Sequence, residues 1–261
     1  MESRKLIAAY DAVISDIYEA ALSPAHWDVA LTSLISHFSP PRWDVAMLVW
    51  ERLQPATGRF IGAAGVNDFA RAGYITMFAG RQAWSMAGHA IPVGQVVHSD
   101  EIVARDRFKQ DEFYKSFLSN WDIEVSIIAS LDRHGHDHLG LCMPGPDQRN
   151  TSGLREAVTR LVPHIQRASR ISRRIGEADL RAANAEAALD ASPSIVMSLG
   201  PDLELLHANS TAQRWLEKTQ MLLSANGKLH FADRDAQERL VRLARGEGEA
   251  RTENIPIEDG G

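Results

Sequence analysis

Three histidines close together offer the most obvious chemistry in this sequence. His134, His136 and His138 alternate with Gly135 and Asp137. Imidazoles two residues apart on a strand share a face and could bind zinc or copper. The glycine and the charged neighbours instead favour a solvated turn between two apolar strands, where metal ligands would be held loosely. We therefore predict no metal site, and a metal-dependent hydrolase that uses this cluster is the alternative function.

Other catalytic patterns are weak. Cys142 is the single cysteine, so neither an intrachain disulfide nor a cysteine-rich zinc site can form. Its apolar neighbours predict a strand in which the thiol is a small core residue. The sequence contains no GxxxxGK, GxGxxG or GxSxG motif. We predict a protein that is not an enzyme and has no catalytic residues. The cofactor is unknown, with a haem or flavin sensor as a further alternative.

Aromatic residues are dense in the first half of the chain. Ligand pockets are mostly apolar with a few polar groups, so these rings could line one. We predict a site for an unknown small molecule formed by six of them: Trp43, Trp50, Tyr74, Trp84, Tyr114 and Trp121. An aromatic core would explain the same residues equally well.

The elements that must position these rings follow from the hydrophobic periodicity. Two helices are predicted in the first forty residues, followed by a hairpin over 45–64 and a helix capped by Asn67 or Asp68. A loop-rich stretch, a helix over 109–117 and two more strands, 124–131 and 139–143, complete the pattern. Helices that flank an antiparallel sheet define an α+β sensor domain, which we place at 1–150.

A long helix is predicted to start at Thr151 or Ser152 and to run to about Leu189. Apolar residues follow it at alternating steps of four and three, as in a coiled coil. Pro163 lies inside it and should produce a kink. We predict that this helix, 151–189, serves dimerisation and signalling through Leu154, Val158, Leu161, Pro163, Ile165 and Ile175. Its many arginines are interleaved with acids, which favours a solvated face over a nucleic-acid contact.

The bulk composition excludes several classes of protein. The 261 residues are 44% hydrophobic and carry a net charge of −6, which argues against a nucleic-acid-binding surface spread over the whole chain. No apolar run approaches the ~18 residues of a membrane span, and the first residues do not form a signal-peptide core. We expect a cytoplasmic protein that does not bind membranes.

Short segments of the chain resemble a known family. The sequences at 6–10 (LIAAY), 17–22 (IYEAAL), 112–118 (EFYKSFL) and 161–165 (LVPHI) resemble bacterial LuxR-type helix-turn-helix transcriptional regulators. Residues 189–261 are similar to a PAS domain, with a strand, a turn, a second strand and then Asn209 at the start of a helix.

The resemblance implies a GAF-like or PAS-like ligand-sensing domain, a signalling helix and a second, PAS-like domain over 190–261, which we expect to be truncated. It further implies a homodimer. DNA binding would occur only through a helix-turn-helix domain that these residues do not contain. A stand-alone sensor or interaction protein is the remaining alternative.

Overall fold

The structure is a computed structural model that describes residues 2–146, 151–218, 222–225, 227–231 and 233–246. The chain divides into two compact units, Met1–Gly176 and Glu177–Gly261. Residues 247–261, which the sequence pattern assigns to the end of the second domain, lie outside the described residues.

The first unit is built on one five-stranded antiparallel sheet in the order β2-β1-β5-β4-β3. Its strands are β1 (Ala46–Leu53), β2 (Ala56–Ala64), β3 (Val96–His98), β4 (Val125–His134) and β5 (Asp137–Gly145). The predicted hairpin β1–β2 is confirmed, and the two strands predicted on either side of the histidine turn pair as a second hairpin, β4–β5. The second hairpin turns over only two residues, because its strands extend into the segment predicted as a polar turn.

Helices cover both faces of this sheet, which confirms the α+β class. They are α1 (Glu2–Leu22), α2 (Trp27–Phe38), α3 (Asp68–Met77), α4 (Ala83–Gly88), α5 (Arg105–Phe108), α6 (Glu112–Ser116) and α7 (Ser152–Asp190). Asn67 caps α3 as predicted, since its side-chain oxygen accepts from the Ala70 amide at 2.8 Å. The helix predicted over 109–117 is present as the shorter α6, and a separate short helix, α5, ends at Phe108 just before it.

The alternation of side chains along β4 separates two cores. Val125, Ile127 and Ala129 point to one face and belong to a core shared with α1, α2 and α7. Ile128, between them, points to the other face and packs among Tyr74, Phe78, Trp84, Phe108 and Phe113. We call the first cluster the helix-side core and the second the aromatic core.

Helix α7 places its apolar seam inside the first unit. Leu154, Val158, Leu161 and Ile165 are at most 2% exposed and belong to the helix-side core. This placement differs from the expectation that they form a dimer contact, because the sheet of their own domain already covers them. Ile175, further along, is only partly buried. Pro163 lies inside the helix, as predicted.

The second unit begins with the hairpin β6 (Met197–Leu199) and β7 (Leu205–Ala208), followed by α8 (Ser210–Lys218). Asn209 is fully buried at the start of α8 and accepts from the Ala212 amide at 2.9 Å, which confirms the predicted cap. A second hairpin, β8 (Leu222–Ala225) and β9 (Lys228–Phe231), precedes α9 (Arg234–Ala244). Across the described part of the chain, no helix is both long and apolar enough to cross a membrane.

Candidate functional site

A cavity of about 360 Å³ opens at one end of the sheet in the first unit, on the side of the aromatic core. Its walls come from the segment before β1, from β1, β2 and α3, from residues 113–123 and from the end of β5. The lining residues are Arg42, Asp44, Val45, Met47, Phe60, Gly65, Val66, Asn67, Ala70, Tyr74, Phe113, Phe117, Leu118, Trp121, Asp122, Ile123, Pro144, Gly145 and Pro146. The volume is within the range of small-molecule sites.

Burial divides this lining into an interior and a mouth. The interior is mainly apolar and buried, since Ala70, Tyr74, Phe113 and Leu118 are at most 7% exposed. The residues at the mouth are exposed and mostly polar or charged: Arg42, Asp44, Asn67, Trp121 and Asp122. An amphiphilic molecule would therefore bind with its apolar part inside and its polar end at the mouth.

Helix α3 is fixed as the cavity wall by polar contacts at its first turn. The Arg71 guanidinium donates to the carbonyl of Ala63 at 2.7 Å and to that of Val66 at 3.2 Å. It also pairs with Asp28 at 3.0 Å, and Asp28 in turn accepts from the Ala63 amide at 2.7 Å. These bonds tie the end of β2, α2 and the start of α3 together, so Ala70 and Tyr74 keep a defined position in the wall.

An ion pair closes one side of the mouth. The Arg42 guanidinium donates to the Asp122 carboxylate, and both residues have left-handed backbone conformations, with φ of 69° and 55°. Non-glycine residues rarely adopt this region, and such strain is concentrated at binding and switch sites. Because both side chains are more than 60% exposed, the pair contributes little to stability and is easily opened.

Two glycines let the backbone approach closely at the cavity rim. Gly65 has φ of +71°, and a Cβ on it would lie 1.8 Å from the Asp44 carbonyl oxygen. A Cβ on Gly145 would lie 2.5 Å from Cδ2 of Trp43, whose ring is packed flat against this strand end. The rim thus depends on glycine at both positions.

Gly145→Ala should therefore destabilise the first unit by about 1–3 kcal/mol, because the new methyl group overpacks the buried Trp43 ring. Gly176→Ala is the matched control, since nothing lies within 4 Å of its Cβ and it stands inside α7. We expect the control to stabilise the protein by up to about 1 kcal/mol. Urea unfolding of both variants measures the two effects, and equal shifts would contradict the packing role of Gly145.

A buried polar network holds Tyr74 behind the cavity. Its hydroxyl donates to the Glu51 carboxylate at 2.5 Å, and the same oxygen of Glu51 accepts from the Gly80 amide at 3.2 Å. Gln82 donates to Ser85 at 2.6 Å and lies 3.4 Å from the tyrosine hydroxyl. Burial and the neighbouring Glu51 charge raise the pKa of Tyr74 well above its ordinary value. The ring is therefore a neutral, rigid part of the wall.

Comparison with known proteins gives distant structural neighbours. No protein-family model matches the sequence, and no curated protein matches it. The VqsR LBD domain from Pseudomonas aeruginosa has a TM-score of 0.48 and 18% identity over 63% of this chain and 96% of that chain. The DhaR(N) complex with DhaL from E. coli has a TM-score of 0.29 and 16% identity over 87% of this chain and 70% of that chain. Neither similarity is high enough to assign a function.

The six aromatic residues predicted as ligand contacts are placed in different surroundings. Tyr74 and Trp121 line the cavity. Trp43 is 1% exposed in the helix-side core, and Trp84 stacks on Phe108 in the aromatic core with ring centroids 4.0 Å apart. The other two are also outside the lining: Trp50 carries the guanidinium groups of Arg52 and Arg59 over its ring, and Tyr114 packs at the edge of the aromatic core.

The histidines considered as metal ligands are not brought together. His134 and His136 are exposed at the turn, whereas His138 is 6% exposed and points into the aromatic side of the sheet, 3.1 Å from the Ser130 hydroxyl. The described residues contain no group of three or more histidine, cysteine, aspartate or glutamate side chains placed to hold a metal ion. The geometry therefore gives no support to the hydrolase alternative.

Cys142 also has the properties of a structural residue. Burial, together with the nearby Glu51 charge, raises the pKa of its thiol to about 12. A thiolate nucleophile is thus disfavoured at neutral pH.

Several lining residues were not predicted from the sequence. Arg42, Asp44 and Asp122 lie in loops, where residue type alone gives no position. Phe60 and Met47 are on the cavity side of β2 and β1, and strand alternation would have pointed to them once the hairpin register was known.

Proposed function

We propose that the first unit is the ligand-sensing domain of a bacterial LuxR-type transcriptional regulator. It binds a small, mainly apolar molecule in the cavity beside α3. DNA binding then belongs to a helix-turn-helix domain outside this sequence, and the protein acts as a cytoplasmic homodimer. The single observation that carries the sensing role is the cavity of about 360 Å³, with a buried apolar interior and a charged mouth.

The sheet offers a route from the cavity to α7. Pro144 and Gly145 of β5 line the cavity, while Leu141 and Met143 of the same strand belong to the helix-side core together with Leu161 of α7. A ligand that binds two arrangements of β5 with different affinity would shift the population of α7 positions. This coupling needs no contact between the ligand and the helix.

Filling the cavity should abolish ligand binding. Ala70→Leu adds a larger side chain at a 7% exposed position of the wall, and we expect at least a tenfold loss of affinity for the neutral fluorescent probe N-phenyl-1-naphthylamine, measured by titration. Ala72→Leu is the matched control, because Ala72 is exposed on the same helix. It should bind like the unsubstituted protein.

The control also separates binding from folding, since both variants must retain the same circular dichroism spectrum. Two outcomes would overturn the proposed sensing role: equal binding of the probe by the two folded variants, or no binding by the unsubstituted protein of either this probe or a cationic amphiphile such as 4-phenylbutylamine.

A further inference from the structure

The cavity mouth carries an excess of negative charge. Among the residues that the structure describes, three charged ones line it, namely Arg42, Asp44 and Asp122. Arg42 is already neutralised by its ion pair with Asp122. Asp44 is exposed, and within the described ranges it has no ion pair or side-chain hydrogen bond. A ligand that enters the cavity therefore meets one uncompensated carboxylate.

The walls beside this carboxylate are aromatic. Five rings line the cavity: Phe60, Tyr74, Phe113, Phe117 and Trp121. Trp121 is 49% exposed at the mouth, directly before Asp122 in the chain. The faces of such rings attract cations, and tryptophan does so most strongly. The same domain already uses this interaction, because the Arg71 guanidinium lies 6.0 Å from the Phe60 ring centroid.

An anionic ligand would be poorly accommodated. Its charge would approach two carboxylates, Asp44 and Asp122, and the one cation that lines the described mouth, Arg42, already has Asp122 as its partner. A neutral ligand would gain no attraction from Asp44, which is exposed to solvent. The remaining class is a ligand with a positive charge at one end. Such a charge can form an ion pair with Asp44 and a cation–π contact with the Trp121 ring.

We propose that the cavity is specific for amphiphilic organic cations. The apolar or aromatic body lies in the buried interior, and an ammonium group lies at the mouth against Asp44 and Trp121. This inference deepens the proposed sensing role and rests on it, since it names the chemical class of the ligand for the same site.

Three probes with the same body and different ends test the charge preference. They are 4-phenylbutylamine, 4-phenylbutanol and 4-phenylbutyrate, titrated at pH 7 by calorimetry or by NMR chemical shifts. We expect the amine to bind at least tenfold more tightly than the alcohol and the butyrate to bind most weakly. Asp44→Asn should reduce the affinity for the amine about tenfold and leave that for the alcohol within twofold.

Asp106→Asn is the matched control, because Asp106 is an exposed acid of α5 that does not line the cavity. It lowers the negative charge of the protein by the same amount, so unchanged binding of the amine would exclude a general effect of net charge. An equal loss of affinity in both aspartate variants would overturn the role of Asp44.

The remaining outcomes distinguish the two proposals. Equal affinity for amine and alcohol, both lost in Ala70→Leu, would leave the sensing role intact and overturn the cation preference. If 4-phenylbutyrate binds most tightly, Arg42 must bind the charged end of the ligand, and the cation preference is overturned. If the protein binds N-phenyl-1-naphthylamine but none of the three phenylbutyl probes, the cation preference is likewise overturned and the sensing role is kept. Failure of all four probes would contradict both proposals.

Discussion

Replacing Leu161 by aspartate should unfold the first unit and should not release a soluble monomer. Leu161 is fully buried in the helix-side core, among side chains of the sheet and of α1 and α2. Its loss removes the contacts of a buried leucine, about 2–5 kcal/mol in similar substitutions, and adds an unpaired carboxylate in an apolar place. The sum is comparable with the total stability of a domain.

The matched control is Leu180→Asp, which lies on the same helix but is 61% exposed. We expect its effect on the free energy of unfolding to stay within about 0.5 kcal/mol. Circular dichroism shows whether each variant is folded, and light scattering shows whether it is a monomer. A folded monomer from Leu161→Asp would show that this residue forms a dimer contact, contrary to its position in the structure.

The second large effect is a loss of stability at acid pH that is caused by the buried His138 side chain. Burial, followed by the charges of His89 and Arg133, lowers the pKa of this imidazole from 6.5 to about 4, and Asp132 opposes the shift. The His89 ring lies 5.8 Å away, and Glu51 is the cross-strand partner on β1. The folded protein therefore keeps His138 neutral over a pH range in which the unfolded chain is protonated.

The direction of the pH effect on stability follows from the difference in proton binding between the folded and unfolded states. Between pH 6.5 and about pH 4 the unfolded state binds more protons, so the free energy of unfolding falls as the pH is lowered through this range. The contribution of His138 amounts to about 3 kcal/mol, since each unit of pKa difference is worth about 1.4 kcal/mol. Well above pH 6.5 both states are neutral at this residue and the contribution no longer changes.

His138→Gln removes the titration while keeping a polar group near the Ser130 hydroxyl. Urea unfolding at pH 7 and pH 4 should show that the variant loses about 3 kcal/mol less than the unsubstituted protein over this range. His134→Gln, at an exposed position of the same hairpin, should follow the unsubstituted protein in parallel. Parallel curves for His138→Gln as well would contradict the buried, neutral state of His138.

Local signals explain why much of the fold was predictable from the sequence. The caps at Asn67 and Asn209 depend on side-chain bonds to backbone three residues away, and the apolar runs of β4 and β5 have no competing pattern. The start of α7 at Ser152 followed from the same kind of signal. Helix α4 was missed because its six residues are too short for periodicity to show.

The site was less predictable because it depends on contacts between distant residues. Arg42 and Asp122 are 80 positions apart, and nothing in either neighbourhood indicates that they meet. Trp43 and Trp121 are the same residue type, yet one is 1% and the other 49% exposed. The difference arises from Gly145, whose missing side chain leaves room for the Trp43 ring. The burial of His138 likewise follows from the register of the β4–β5 hairpin, which sequence alone left open.

The alternation along β4 has a consequence for how this domain can change in evolution. Ile127 and Ile128 are adjacent in sequence but belong to different cores on opposite faces of the sheet. Substitutions at well-separated sites without shared partners have additive effects on stability. Most side chains of the aromatic side can therefore change for a new ligand with little effect on the packing of α7, whereas the end of β5, where Gly145 lies against Trp43, ties the two sides together.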